Sequence, residues 1–184
     1  MSMGRLVGVL AVWSFAALGG CGSGGTVLSD GGSVAGDRVL ISPGGSLGIA
    51  RVLAGSSIPL SAVLVQGPQN AVLSANRFIW GAAVVNGAQY SSGSQGQTKP
   101  CGAVTATTGG VAAPYAPDYT LYVTIDPTNE SNVILTPPTS VPPPAGGTAS
   151  AVYPYCVRVT ATVVAGAASG SLIVAVVDPQ NPLQ

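Results

Sequence analysis

From residue 157 the side chains alternate. Val157, Val159, Ala161 and Val163 share one side of an extended chain, while Arg158, Thr160 and Thr162 share the other. A period of two is the mark of a strand half-buried on a sheet, and no helix produces it. Residues 166–170 then turn the chain into Leu172 to Val177, which is apolar on both faces and is therefore predicted to be central or covered. The pattern recurs upstream. Ile58, Leu60, Ala62 and Leu64 are in phase and stop at Gly67-Pro68, and Val39 and Ile41 are in phase before Ser42-Pro43-Gly44-Gly45. Phe78 and Trp80 share a phase in residues 77–85, closed by Asn86-Gly87, with Trp80 the expected core anchor. Shorter candidates are residues 103–107, the alternating Leu121, Val123 and Ile125, and residues 133–135. Residues 88–100 are rich in Ser, Gly and Gln and are expected to be a surface loop, and the prolines at 137–138 and 142–144 exclude regular pairing. About seven or more strands at this spacing predict an all-β fold, an antiparallel β-sandwich.

Charge narrows the function more than the fold. Only 7% of the 184 residues are charged and the formal net charge is zero, so the chain has no electrostatic footprint for nucleic acid. Its length suits one domain, placed at residues 37–178 with a short tail at 179–184.

The N-terminus reads as an export signal: Arg5, an apolar run over residues 6–17 too short to span a bilayer comfortably, then Leu18-Gly19-Gly20-Cys21. That tetrapeptide resembles the lipobox of bacterial lipoproteins. The resemblance implies a signal peptide over residues 1–20, a diacylglycerol on Cys21, and a membrane partner reached through that lipid alone. An ordinary signal peptide ending near a cysteine, or an uncleaved anchor, are the alternatives. Residues 22–36 are Gly- and Ser-rich and read as a tether. Gly22 stands where an aspartate would favour retention at the inner membrane in enteric lipoproteins, which points to the outer membrane. With Cys21 acylated, Cys101 and Cys156 are an even pair in an oxidising compartment and are expected to form a disulfide, unrelated thiols being the alternative.

Val39-Leu40-Ile41-Ser42-Pro43, the Ala54-Gly55 turn, Phe78-Ile79-Trp80, Tyr115-Ala116-Pro117 and residues 157–162 resemble bacterial Ig-like domains of secreted and surface proteins. The resemblance runs loosely over residues 37–178 and implies an Ig-like sandwich. It has departures. No cysteine lies in the strand before Trp80, Pro154 sits where a tyrosine corner would be, and residues 120–148 read as an insertion. Cys156 shares a face with Arg158 and Thr160, so its bridge should lie outside the core and pin the 88–101 segment there.

Chemistry is sparse. The chain has no histidine, its one lysine, Lys99, is not preceded by Ser-x-x-Lys, and Gly22-Ser23-Gly24-Gly25 lacks the strand-to-helix context of a phosphate loop. No catalytic residues, cofactor or metal site are expected. Asp126, Asn129, Glu130 and Asn132 offer oxygen donors, but not in the spacing of a calcium loop, and read as a solvated turn. The candidate binding residues are Tyr90, Tyr115, Tyr119, Tyr122, Tyr153 and Tyr155, which either stack on a sugar or anchor a protein partner, or plug the ends of the sandwich. The expected function is a non-catalytic structural, adhesive or protein-interaction module on the cell envelope. A carbohydrate-binding module and an accessory subunit of a periplasmic complex are the alternatives.

Overall fold

A computed structural model describes residues 37–44, 50–67, 71–73, 77–92, 97–126, 130–164 and 168–181. The signal peptide, Cys21 and the 22–36 tether lie outside the described residues, as do Asn129 and residues 182–184. In chain order the described strands are β1 (Arg38–Pro43), β2 (Arg51–Leu53), β3 (Ile58–Gln66), β4 (Ala71–Leu73), β5 (Phe78–Val84), β6 (Gln89–Ser91) and β7 (Thr98–Pro100). There follow β8 (Val104–Thr108), β9 (Val111–Pro114), a 3-10 helix (Thr120–Tyr122), β10 (Val123–Ile125), β11 (Asn132–Leu135), β12 (Gly147–Ala151), β13 (Tyr155–Val163) and β14 (Ser169–Val177).

Two sheets face each other. The first has the order β1-β3-β11-β10, with β4 extending the β11 edge of β3, and the second has the order β2-β14-β13-β5. The alternation dictates the packing. In the second sheet Val157, Val159, Ala161, Leu172, Val174 and Val176 are each at most 1% exposed, and in the first Leu60, Ala62, Val133 and Leu135 are equally buried. Each such Val or Leu contributes about 1.5–3 kcal/mol by leaving water. Trp80, opposite Ala161, is buried in the same core and donates its indole N–H to the Glu130 carbonyl at 3.0 Å, so its one polar atom is satisfied. At Gly170 the start of β14 passes so close to β1 that a Cβ would overlap the Val39 carbonyl. Glycine alone permits this approach.

Strand order makes the sandwich immunoglobulin-like. The first sheet has the A-B-E-D arrangement of a constant-type domain and the second has C-F-G, extended by β2, which pairs in parallel with β14. Strands β10 and β11 are therefore the D and E strands of the sandwich rather than parts of an insertion spanning 120–148. The added material lies on either side of them: β8 and β9 before, β12 after, joined as a separate sheet in the order β12-β8-β9. The 88–100 segment is also more than a loop. Its ends, β6 and β7, pair as a hairpin, because Gln89 and Tyr90 alternate in exposure and can lay one side chain on the sandwich.

The registers give the molecule two distinct ends. Arg38 pairs with Val65, Phe78 with Val163 and Thr162 with Ser169, and Gly170 meets Val39, so residue 37 emerges at one end, the near pole. At the other, the far pole, Leu135 pairs with Ile58, Val84 with Val157 and Tyr155 with Val176. The chain leaves β5 and returns to β13 at the far pole, so the added sheet and the 3-10 helix are built there.

Candidate functional site

Four of the six candidate tyrosines surround the fifth. Residues 117–119 extend the edge of β5: the Val84 N–H donates to the Pro117 carbonyl at 3.2 Å and the Tyr119 N–H to the Ala82 carbonyl at 2.8 Å. Asp118 then starts the 3-10 helix by accepting the Thr120 N–H at 2.8 Å and its hydroxyl at 2.6 Å, bonds that hold this carboxyl below its usual range, the hydroxyl bond foremost. Tyr119 is thereby pinned with its ring in the core. Its hydroxyl lies 3.5 Å from that of Tyr155, and both residues are 0% exposed. Tyr122 meets Tyr119 edge-on at 5.3 Å and Tyr153 lies tilted against Tyr155 at 5.4 Å, while Tyr115 and Tyr153 are near enough to act electrostatically on Tyr119. Burial pushes the Tyr119 and Tyr155 phenols up, most strongly at Tyr155, and pushes Tyr153 up too, with Asp178 adding to it. All three are neutral phenols in ordinary conditions, able to donate a hydrogen bond and unable to serve as a base.

Tyr90 stands apart from this cluster. It lies on the outer face of the second sheet, 3% exposed, packed with Cys156 and Ala175 in a small cluster of its own. The Arg51 guanidinium sits 5.8 Å from its ring centroid, a cation–π contact. Cys156 points away from the main core, and the expected Cys101–Cys156 disulfide is present, with Cα atoms 5.6 Å apart. It clips the β6–β7 hairpin over the end of the second sheet. The hairpin also explains the doubly apolar β14, whose outward Ala175 it covers. Exposure was the reason to consider these tyrosines for binding, yet Tyr90, Tyr119 and Tyr155 are buried and Tyr115, Tyr122 and Tyr153 are half-buried.

Asn86 carries a role that its sequence context hides. Asn-Gly announces a turn, and the turn is there, but the Asn86 side chain also donates to the Val104 and Tyr115 carbonyls at 3.2 and 3.1 Å and accepts the Val104 N–H at 2.8 Å. Three bonds from one amide fasten the added sheet to the end of β5. Gly102 fits against the Val152 carbonyl, where a Cβ would overlap, and donates its N–H to the Pro154 carbonyl at 2.7 Å. Between Asn86, Val104, Thr105 and the β9 residues Ala112, Ala113 and Pro114 lies a cavity of about 210 Å³. It is smaller than the roughly 300 Å³ at which small-molecule sites begin.

At the near pole Glu130 accepts hydrogen bonds from Arg77 Nε and Nη2, at 2.7 and 2.8 Å, which lowers the carboxyl and raises the guanidinium. Among the described residues no three of His, Cys, Asp and Glu come together to hold a metal ion.

Compared with protein-family models, with curated proteins and with solved structures, the chain matches none.

Proposed function

We propose that this chain is a lipid-anchored, Ig-like module of the bacterial cell envelope, non-catalytic, with its interaction surface at the end of the sandwich away from the membrane. One observation carries the reading: the chain enters the sandwich at the near pole, and the β6–β7 hairpin and the β12-β8-β9 sheet sit at the far pole, while the short added β4 pairs with the near-pole end of β3. A lipid on Cys21 places an anchor fifteen residues, 22–36, before that entrance. Even fully extended, fifteen residues reach about 50 Å. The added β12-β8-β9 sheet then faces outward, and it carries no charged side chain. The glycan reading draws less support, since of the tyrosines on which it leaned, together with the 88–101 segment, three are buried and three half-buried.

The test is phase partition of the full chain expressed in a bacterial host. The wild type should enter the detergent phase with the mass of a diacylated N-terminal cysteine, and Cys21→Ser should remain aqueous. A Cys21→Ser chain that still partitions into detergent overturns the anchor.

A further inference from the structure

The free edge of β9 is a second feature of the far pole. In the β8–β9 pair the Tyr115 N–H donates to the Val104 carbonyl, so residues 111 and 113 direct their backbone groups at β8 and residues 112 and 114 direct theirs away. Among the described residues no strand pairs with that outer edge. It presents the N–H and C=O of Ala112 and the C=O of Pro114, which has no N–H to offer. The side chains offer no charge. All four residues of β9 are exposed, Val111 by 70%, and none is charged, so of the usual protections of a free edge it has a short strand and Pro114 but no charge.

We propose that β9 is a homodimerisation edge, its occupant the β9 strand of a second copy of this chain, paired antiparallel about a two-fold axis at Ala112. Of the two residues whose backbone points outward, Ala112 alone can form a hydrogen-bonded pair with its own copy. Two Ala112 residues facing each other exchange both of their N–H···O=C bonds, whereas a register centred on Pro114 has no donor. The same axis sets Val111 of each copy opposite Ala113 of the other, so the exposed valine gains an apolar neighbour. Charge is matched as well. An uncharged edge meets an identical uncharged edge in a chain of zero formal net charge, while a charged segment would lose water here without gaining a partner. So short an edge buries less than the roughly 1,000 Å² of a lasting interface, so the pairing is weak and favoured by concentration, as on a membrane.

Cysteine cross-linking in membranes of cells making the full chain tests the register. Facing Ala112 residues have Cα atoms about 5.5 Å apart, within disulfide range. Ala112→Cys should form dimers on mild oxidation at least tenfold faster than Thr148→Cys, an exposed site on β12, and adding the surface change Val111→Asp should abolish the difference. Equal rates at the two sites, or a rate that Val111→Asp leaves unchanged, overturn the proposal. The wild type serves as control: dimers there come from a free Cys21 thiol, and so report failure of the lipid anchor rather than of the β9 pairing.

Discussion

Tyr119 and Tyr155 hold two hydroxyls 3.5 Å apart in the core, where each is the other's partner. Removing one strands the other, which costs about 1–3 kcal/mol, and the length of the bond argues for the lower end. Tyr119→Phe and Tyr155→Phe should each destabilise by about 1 kcal/mol, and the double variant by less than the sum. Urea unfolding of the four proteins measures the coupling, and strictly additive losses would show that the hydroxyls do not interact. The same phenols set an alkaline limit. Their folded pKa values lie above the unfolded value of about 10, so the stability they contribute is intact below that pH and is lost as pH rises beyond it. Phenolate absorbance should therefore grow together with loss of near-ultraviolet circular dichroism. Glu130 works in the opposite direction. Its folded pKa is depressed, so its contribution is present above the unfolded value of about 4.3 and fades as pH falls through the folded one, and Glu130→Gln should flatten that acid limb. Both carboxylate and guanidinium are solvent-accessible, so the effect is small.

The hairpin β6–β7 has three-residue strands and almost no core, and on its own would be unstable. What holds it is the Cys101–Cys156 bridge and the packing of Tyr90 against Cys156 and Ala175. Closing a loop between cysteines 55 residues apart contributes about 4 kcal/mol by the chain-entropy argument. Replacing both cysteines with serine should cost about 2–5 kcal/mol, and hydrogen exchange should show the amides of β6 and β7 losing protection first. Protection that collapses uniformly across the sandwich would mean the hairpin is no separate element. At this scale the reach of sequence reading is plain. The alternation in β3, β5 and β13 announced strands and their inward faces, because both follow from local period. The two apolar faces of β14 announced a cover, and the face shared by Cys156 and Arg158 announced where the bridge would lie. The sheet β12-β8-β9 was out of reach, since Thr105 finds Ser150 across 45 residues and no local pattern records a partner that far away. For the same reason the tyrosines looked available in sequence: Tyr119 and Tyr155 are hidden by each other, 36 residues apart.

The sandwich has unlike ends, and that asymmetry governs what a tethered copy presents. A nine-residue strand such as β13 runs about 30 Å at 3.3 Å per residue, which separates the near pole from the far one by that order. Gln66, exposed at the end of β3, lies at the near pole, and Thr148, exposed on β12, belongs to the sheet at the far pole. With the lipid on Cys21 the near pole is the leashed one, since the fifteen residues between Cys21 and residue 37 attach there and only there. A donor dye at Gln66→Cys should therefore transfer energy to acceptor lipids markedly more than one at Thr148→Cys, in vesicles carrying the lipidated full chain. Salt should leave the difference intact, because so few charges are available to draw the domain onto the headgroups. Equal transfer from the two sites would mean that the domain lies flat or tumbles freely, and the far pole would then lose its claim to be the outward surface. A clear bias toward Gln66 leaves the uncharged sheet at the far pole as the part of the molecule that other envelope components, or a second copy, meet first.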